Sequence, residues 1–165
     1  MSPPIHFRSS VDAYLVHLAA GDLGAAAREF HASAIRVFEN DVLVARDAET
    51  YFRKLQPILR RAVMMRGTID RLCRDRPGET AAVLCRFDGV DTDGKLVRDE
   101  VLYQQRWSGG QVVEERQYRG AALAPAISAA LEAGMLAPEP GTVRLMQSGG
   151  TAACLAGTNQ ARICA

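Results

Sequence analysis

At Met65 the hydrophobic pattern changes period, and that switch constrains the chain more than any other feature. Before it, apolar residues recur at helical spacing; after it they alternate, as in half-buried strands. The fold class that follows is α+β, with helices first and a sheet second. Residues 9–20 put Val11, Tyr14, Leu15 and Leu18 on one helical face behind a serine cap, and Gly21-Asp22 closes the run. A second helix is expected from Asp22 or Leu23, with Ala26, Phe30 and Ala34 on its apolar side, giving way to the β-favouring Ile35-Arg36-Val37-Phe38. The chain turns at Glu39-Asn40-Asp41. Asp47 then caps a third helix with Tyr51, Phe52, Leu55, Ile58 and Leu59 on its apolar side, and a kink is expected at Pro57.

Strands are expected over Gly67–Arg74, Glu79–Asp88, Lys95–Trp107 and Gln111–Arg119, joined by turns at Pro77-Gly78, Asp91 to Gly94 and Gly109-Gly110. An alanine-rich helix follows from about Ala122 to Ala133. Beyond Gly134 the composition shifts to Pro, Gly, Ser and Thr, so residues 136–165 are expected to form a mobile, low-complexity tail with one short strand at Thr142 to Met146. Residues 1–8 read as a flexible start and residues 9–135 as one domain.

Composition narrows the partners. With 20 Lys+Arg against 19 Asp+Glu the net charge is +1, which lacks the basic field that phosphate-backbone binding needs, so nucleic acid is not expected. No apolar run approaches the ~20 residues that span a bilayer, and the N-terminus carries no apolar leader; no membrane partner and a cytoplasmic location are expected. The cysteines at 73, 85, 154 and 164 lack zinc-site spacing. A turn over Asp75 to Glu79 would set Cys73 opposite residues near 81 or 82, too far from Cys85 to bridge it, so reduced thiols are expected. With no phosphate-binding glycine loop, no histidine pair at metal spacing and no nucleophile elbow, the expected chemistry uses no cofactor.

The final hairpin reads Arg106-Trp107-Ser108-Gly109-Gly110-Gln111-Val112-Val113-Glu114-Glu115-Arg116-Gln117-Tyr118, and upstream lies Phe30-x-x-x-Ala34-Ile35-Arg36-Val37-Phe38 running into a loop and a capped third helix. This pattern resembles the nuclear transport factor 2-like superfamily, and within it the SnoaL-like group, over about residues 9 to 120. The resemblance implies three N-terminal helices packed in the concavity of a curved, mostly antiparallel sheet, an apolar pocket open at one end, and an outer sheet face that pairs in a homodimer. It also implies a small apolar or polyketide-like ligand. Leu96, Leu102 and Val113 on the outer set suit such a dimer contact.

Residue parity gives the expected walls. In the third strand Val97, Asp99, Val101, Tyr103, Gln105 and Trp107 share a face, the better inner wall. By the resemblance Val112, Glu114, Arg116 and Tyr118 look inward from the last strand, and Ala82, Leu84, Arg86 and Asp88 form the matching set before it. The expected catalytic cluster is then Asp99, Arg86, Asp88 and Glu114: Arg86 holds Asp99 or Asp88 ionised, and Glu114, pushed upward by burial, transfers the proton. Tyr103 or Tyr118 would donate to a developing oxyanion, with Tyr14, Phe38, Asn40, Val101 and Arg116 completing the ligand wall.

Three chemistries fit parts of this set. Arg86-Phe87-Asp88 resembles the Arg-x-Asp element of limonene-epoxide-hydrolase-like enzymes, with Phe38-Glu39-Asn40 where those have Tyr-x-Asn and Gly120 where they have a second acid. Ketosteroid-isomerase-like chemistry would draw on Glu39 or Asp41 with the Tyr14 phenol. SnoaL-like cyclases place an acid where this chain has Arg119 and Gly120. His31 is expected to cap the second helix. The functional classes are thus a cofactor-independent isomerase, cyclase or hydrolase, a ligand-binding module, and a dimerising interaction domain.

Overall fold

The computed structural model describes residues 7–136 throughout and, beyond them, three short strands. Helices α1 (Phe7–Ala20) and α2 (Leu23–Phe30) lead into β1 (His31–Glu39) and β2 (Val42–Ala45); α3 (Ala48–Arg61) precedes the long strands β3 (Ala62–Asp75), β4 (Thr80–Asp91), β5 (Leu96–Ser108) and β6 (Gln111–Tyr118). A 3-10 turn at Gly120–Ala122 and helix α4 (Leu123–Glu132) follow, then β7 (Arg144–Met146), β8 (Ala152–Cys154) and β9 (Arg162–Cys164). The sheet runs β2-β1-β6-β5-β4-β3-β9. β1 and β6 pair in parallel, as do β3 and β9, and the other neighbours are antiparallel. The α+β class, the order of helices before sheet and the C-terminal helix are as expected.

Helix starts follow their caps. Asp22 Oδ1 accepts from Ala25 N at 2.8 Å and Asp47 Oδ1 from Thr50 N at 2.7 Å, each satisfying an N–H that the first turn leaves open. Asn40 and Asp41 take φ of 47° and 67°, the left-handed pair of a tight hairpin turn, and so create β2, a strand that its short, mixed sequence had not announced. The second helix ends at Phe30 rather than reaching Ala34, because the β-branched and aromatic run from Ile35 continues backwards as strand to His31. Helix α1 begins at Phe7, two residues before the expected start, because the Phe7 ring docks edge-on to Trp107 at 6.2 Å. The rest of the expected flexible start lies outside the described residues, as does most of the expected tail; the short strand within it is described at Arg144–Met146.

The main core lies between α1–α3 and the inner sheet face. Trp107 sits at its centre, in edge or tilted contact with Phe7, Tyr14 and Phe30. Gly67 allows the helix layer its closest approach: a Cβ there would stand 2.1 Å from the Leu18 carbonyl oxygen. A second core lies on the outer face, where Ala126 and Ala130 of α4 and Leu136 cover Ala82, Leu84 and Leu102. Leu102, expected with Leu96 and Val113 to form a dimer contact, is therefore fully buried within its own chain. Cys73 stands opposite Ala82, where the turn placed it, and Cys85 is not bridged. Burial pushes the Cys85 thiol up to about 12, so it remains a protonated core group. Among the described residues no helix is long and apolar enough to cross a membrane.

Candidate functional site

Register decides which side chains meet. β4 pairs with β5 so that Val83 faces Tyr103, Cys85 faces Val101 and Phe87 faces Asp99. The inner set of β5 is the expected one, but the inner set of β4 is Ala81, Val83, Cys85, Phe87 and Gly89. Arg86 and Asp88 thus occupy the outer face, opposite Glu100 and Arg98. There Arg86 pairs with Asp70 at 3.7 Å and Asp88 at 3.5 Å, and Asp88 accepts from Arg98 at 2.7 Å. The Arg98 hydrogen bond, against a smaller opposing effect of desolvation, holds the Asp88 carboxyl below its ordinary range. The expected Arg86–Asp99 pair does not form, and the Arg-x-Asp likeness has no place at the cavity.

A bulge shifts the last strand as well. Arg106 pairs with Glu114 and Trp107 with Val112, leaving Val113 as an extra residue that reverses the parity of everything after it. Glu115 and Gln117 turn inward; Glu114, Arg116 and Tyr118 turn out. Glu114 bridges Arg36 at 2.5 Å and Arg116 at 3.4 Å. Arg116 lies over the Phe38 ring at 4.2 Å, and the Tyr118 hydroxyl donates to Asp41 at 2.7 Å. Asn40 accepts from the Arg119 backbone N–H. Of the expected site residues, the inner side receives Tyr14, Asp99, Val101 and Tyr103, and Val101 is fully buried wall.

What the bulge brings inside is a carboxylate that parity had assigned to the surface. Glu115 is fully buried and accepts from Gln105 Nε2 at 2.7 Å, Gln117 Nε2 at 2.6 Å and the Tyr14 hydroxyl at 3.2 Å. His31, expected as a helix cap, turns its ring into the same cluster, with Nε2 at 3.4 Å from Glu115 Oε2. Burial works to raise the Glu115 pKa, but His31 and these hydrogen bonds together outweigh it and hold the group below its ordinary 4.5. One sequence signal pointed here: Val112-Val113-Glu114-Glu115 is two apolar residues followed by two acids, which no strictly alternating strand accommodates.

The network climbs from Glu115 toward the open end of the cone. Gln117 Nε2 also donates to the Tyr51 hydroxyl at 2.6 Å, and Gln117 Oε1 accepts from Arg119 at 3.0 Å. Arg119 in turn lies 3.2 Å from Asp99 and 3.4 Å from Glu39. Above this chain opens a cavity of about 360 Å³, lined by Leu55, Met65 and Phe87 on its apolar side and by Tyr51, Tyr103, Asp99 and Arg119 on its polar side. The Tyr51 hydroxyl accepts from Gln117, and among the described residues it donates to no other group. No hydrogen bond to the Tyr103 hydroxyl occurs among the described residues. Burial, foremost, raises the pKa of both phenols, so they donate hydrogen bonds rather than ionise.

This packing of helices against a curved sheet is shared with solved structures. AusH from Aspergillus nidulans matches with a TM-score of 0.59 at 13% identity, over 72% of this chain and 88% of that one. An NTF2-like protein of unknown function from Burkholderia pseudomallei K96243 matches at 0.57 and 13%, over 73% and 95%. A protein from Jannaschia sp. CCS1, provisionally named a SnoaL-like polyketide cyclase, matches at 0.55 and 17%, over 78% and 95%. The chain has the nuclear transport factor 2-like fold. No protein-family model matches the sequence, and no curated protein does either. At the end of the last strand this chain holds Arg119, accompanied by the carboxylates of Asp99 and Glu39, with Glu115 beneath.

Proposed function

We propose that the chain is a SnoaL-like small-molecule-binding domain that acts as a cofactor-independent isomerase or cyclase on a ligand with an apolar body and a carbonyl group. The observation that carries this reading is the convergence of two un-ionised phenols, one carboxylate and one guanidinium on a single apolar cavity. Its volume of about 360 Å³ falls within the roughly 300–1,000 Å³ of small-molecule sites. Asp99 takes a proton from carbon beside the ligand carbonyl, charge passes to the carbonyl oxygen, and Tyr51 and Tyr103 donate to that oxyanion. Arg119 balances the charge as the proton moves. Proton return to another carbon completes an isomerisation; attack of the enolate on a second carbonyl, with the proton on Asp99 returned to the resulting alkoxide, completes a cyclisation.

Thermal shift against steroids, terpenoid ketones and aromatic polyketides identifies the ligand class, and deuterium uptake by the bound ligand in heavy water reads the proton step. Wild-type protein is expected to catalyse the exchange, Asp99→Asn to lose about a hundredfold or more, and Tyr103→Phe to lose less. Binding without exchange would reduce the reading to a ligand carrier; the absence of any stabilising ligand would remove it.

A homodimer through the outer sheet face is the second reading. With Leu102 sealed under α4, the contact available to it is the charged strip of Arg86, Asp88, Arg98 and Glu100, whose mixed signs suit a two-fold partner.

A further inference from the structure

Five of the seven exposed large hydrophobic side chains among the described residues gather at the open end of the cone: Ile58, Val63, Met64, Leu96 and Val97. They come from the end of α3 and the first residues of β3 and β5. Register makes them a surface. Met64 stands beside Val90 and Val90 beside Leu96, an apolar row across three strands on the outer face; Met65, Gly89 and Val97 form the corresponding row inside. A sheet end facing water ordinarily keeps one face polar. Here both are apolar, and the side chains protrude: Leu96 is 89% exposed, Met64 68% and Val63 63%. A groove of about 310 Å³ between α3 and the strand ends shares Ile58, Met65 and Val97 with the cavity, so the apolar rim is continuous with the cavity wall.

The charges around this rim are of one predominant sign. Arg60, Arg61, Arg66 and Lys95 have no ion-pair partner among the described residues. Arg98 is matched by Asp88. The acids at this end are Asp88 and Asp99, each matched by an arginine, Arg98 and Arg119, together with Asp93 and Asp91, whose Oδ1 accepts from the backbone N–H groups of Asp93 and Lys95.

From this arrangement we infer that the open end of the cone is a docking face for an anionic lipid surface. Protruding aliphatic side chains enter the acyl boundary while the flanking cations meet headgroup phosphates, the division of labour of interfacial proteins. A ligand with an apolar body then passes between bilayer and cavity without crossing water. A second copy of the chain is a poorer occupant, since a two-fold contact here sets the same cations against each other. An acidic protein is poorer too, because Leu96 and Val63 project outside the groove and leave such a partner no continuous concave seat. The sequence argued against a membrane partner through its lack of a spanning run and of an apolar leader, and surface docking needs neither. The inference is independent of the chemistry proposed for the cavity.

The test is cosedimentation of the full chain with vesicles of phosphatidylcholine, with and without phosphatidylglycerol. Binding is expected to the anionic vesicles, weakening as salt is raised. Leu96→Asp and Met64→Asp, at exposed positions, should each weaken it by about tenfold with the melting temperature unchanged, and Arg60→Glu combined with Arg61→Glu should abolish the preference for the anionic lipid. Leu96→Gln replaces either aspartate variant that melts early. Failure of the wild type to sediment, binding indifferent to the apolar changes, or concentration-dependent self-association relieved by Leu96→Asp would each overturn the proposal.

Discussion

Replacing Glu115 by alanine is expected to lower stability by about 3–5 kcal/mol, the cost of breaking a buried charged cluster by removing one member. Four groups each lose one partner: the Tyr14 hydroxyl, the Gln105 and Gln117 amides, and the buried His31 ring. In a chain of this length that loss corresponds to a fall in melting temperature of roughly 6–20 °C. Adding His31→Leu should recover part of it, because the second change removes a polar ring that the first leaves stranded. Acid supplies the same perturbation gradually. The folded-state pKa of Glu115 lies below its ordinary 4.5, so its ionised form contributes stability that is full above that value and is lost as pH falls through the folded-state value. Glu115→Gln should flatten that acid limb while leaving the neutral plateau lower. Additive effects below about 1 kcal/mol in the double replacement would mean that the four partners find water instead.

How much of this was legible in the sequence differs from strand to strand. The helices and the period switch at Met65 depend on local pattern, which a single sequence carries. The inner set of β5 was legible for the same reason, since Val97, Val101, Tyr103 and Trp107 alternate without interruption. The faces of β4 and β6 depend on register, and register is fixed by turns and bulges that shift a whole strand by one residue. Asp91-Thr92-Asp93-Gly94-Lys95 offers several closures; the one adopted has Asp91 N–H donating to the Lys95 carbonyl while the Asp91 side chain gathers the turn, which puts odd residues of β4 beside odd residues of β5. Arg86 and Asp88 went to the outer face with that choice. Glu115 and Glu114 exchanged places through the single extra residue at Val113. Burial of His31 was not legible at all, because it requires knowing that β1 begins immediately after α2 and lies parallel to β6.

Ending the chain after Arg119 is expected to produce a protein that still folds its cone but melts far below the full chain and self-associates. Among the described residues the cover of the outer face is α4 and the segment to Leu136, and their removal bares Ala82, Leu84 and Leu102 together. Uncovering the two leucines alone forfeits roughly 3–6 kcal/mol, offset in part by the conformational freedom that the lost helix regains. The exposed patch would lie at the middle of a regular sheet face, with Leu102 flanked by Leu84 on one side and Tyr118 on the other. Such a patch is self-complementary under a two-fold axis, so light scattering should give twice the shortened chain's mass at micromolar concentration. A chain ended after Leu136 keeps the cluster whole and is the control; it should melt close to the full chain. The apolar signal at Leu102 that suggested a dimer from sequence was then a real demand for a partner, met within the chain by α4. If the chain ended after Arg119 stays monomeric and melts with the full chain, α4 does not serve as that partner, and the outer face needs no cover at all.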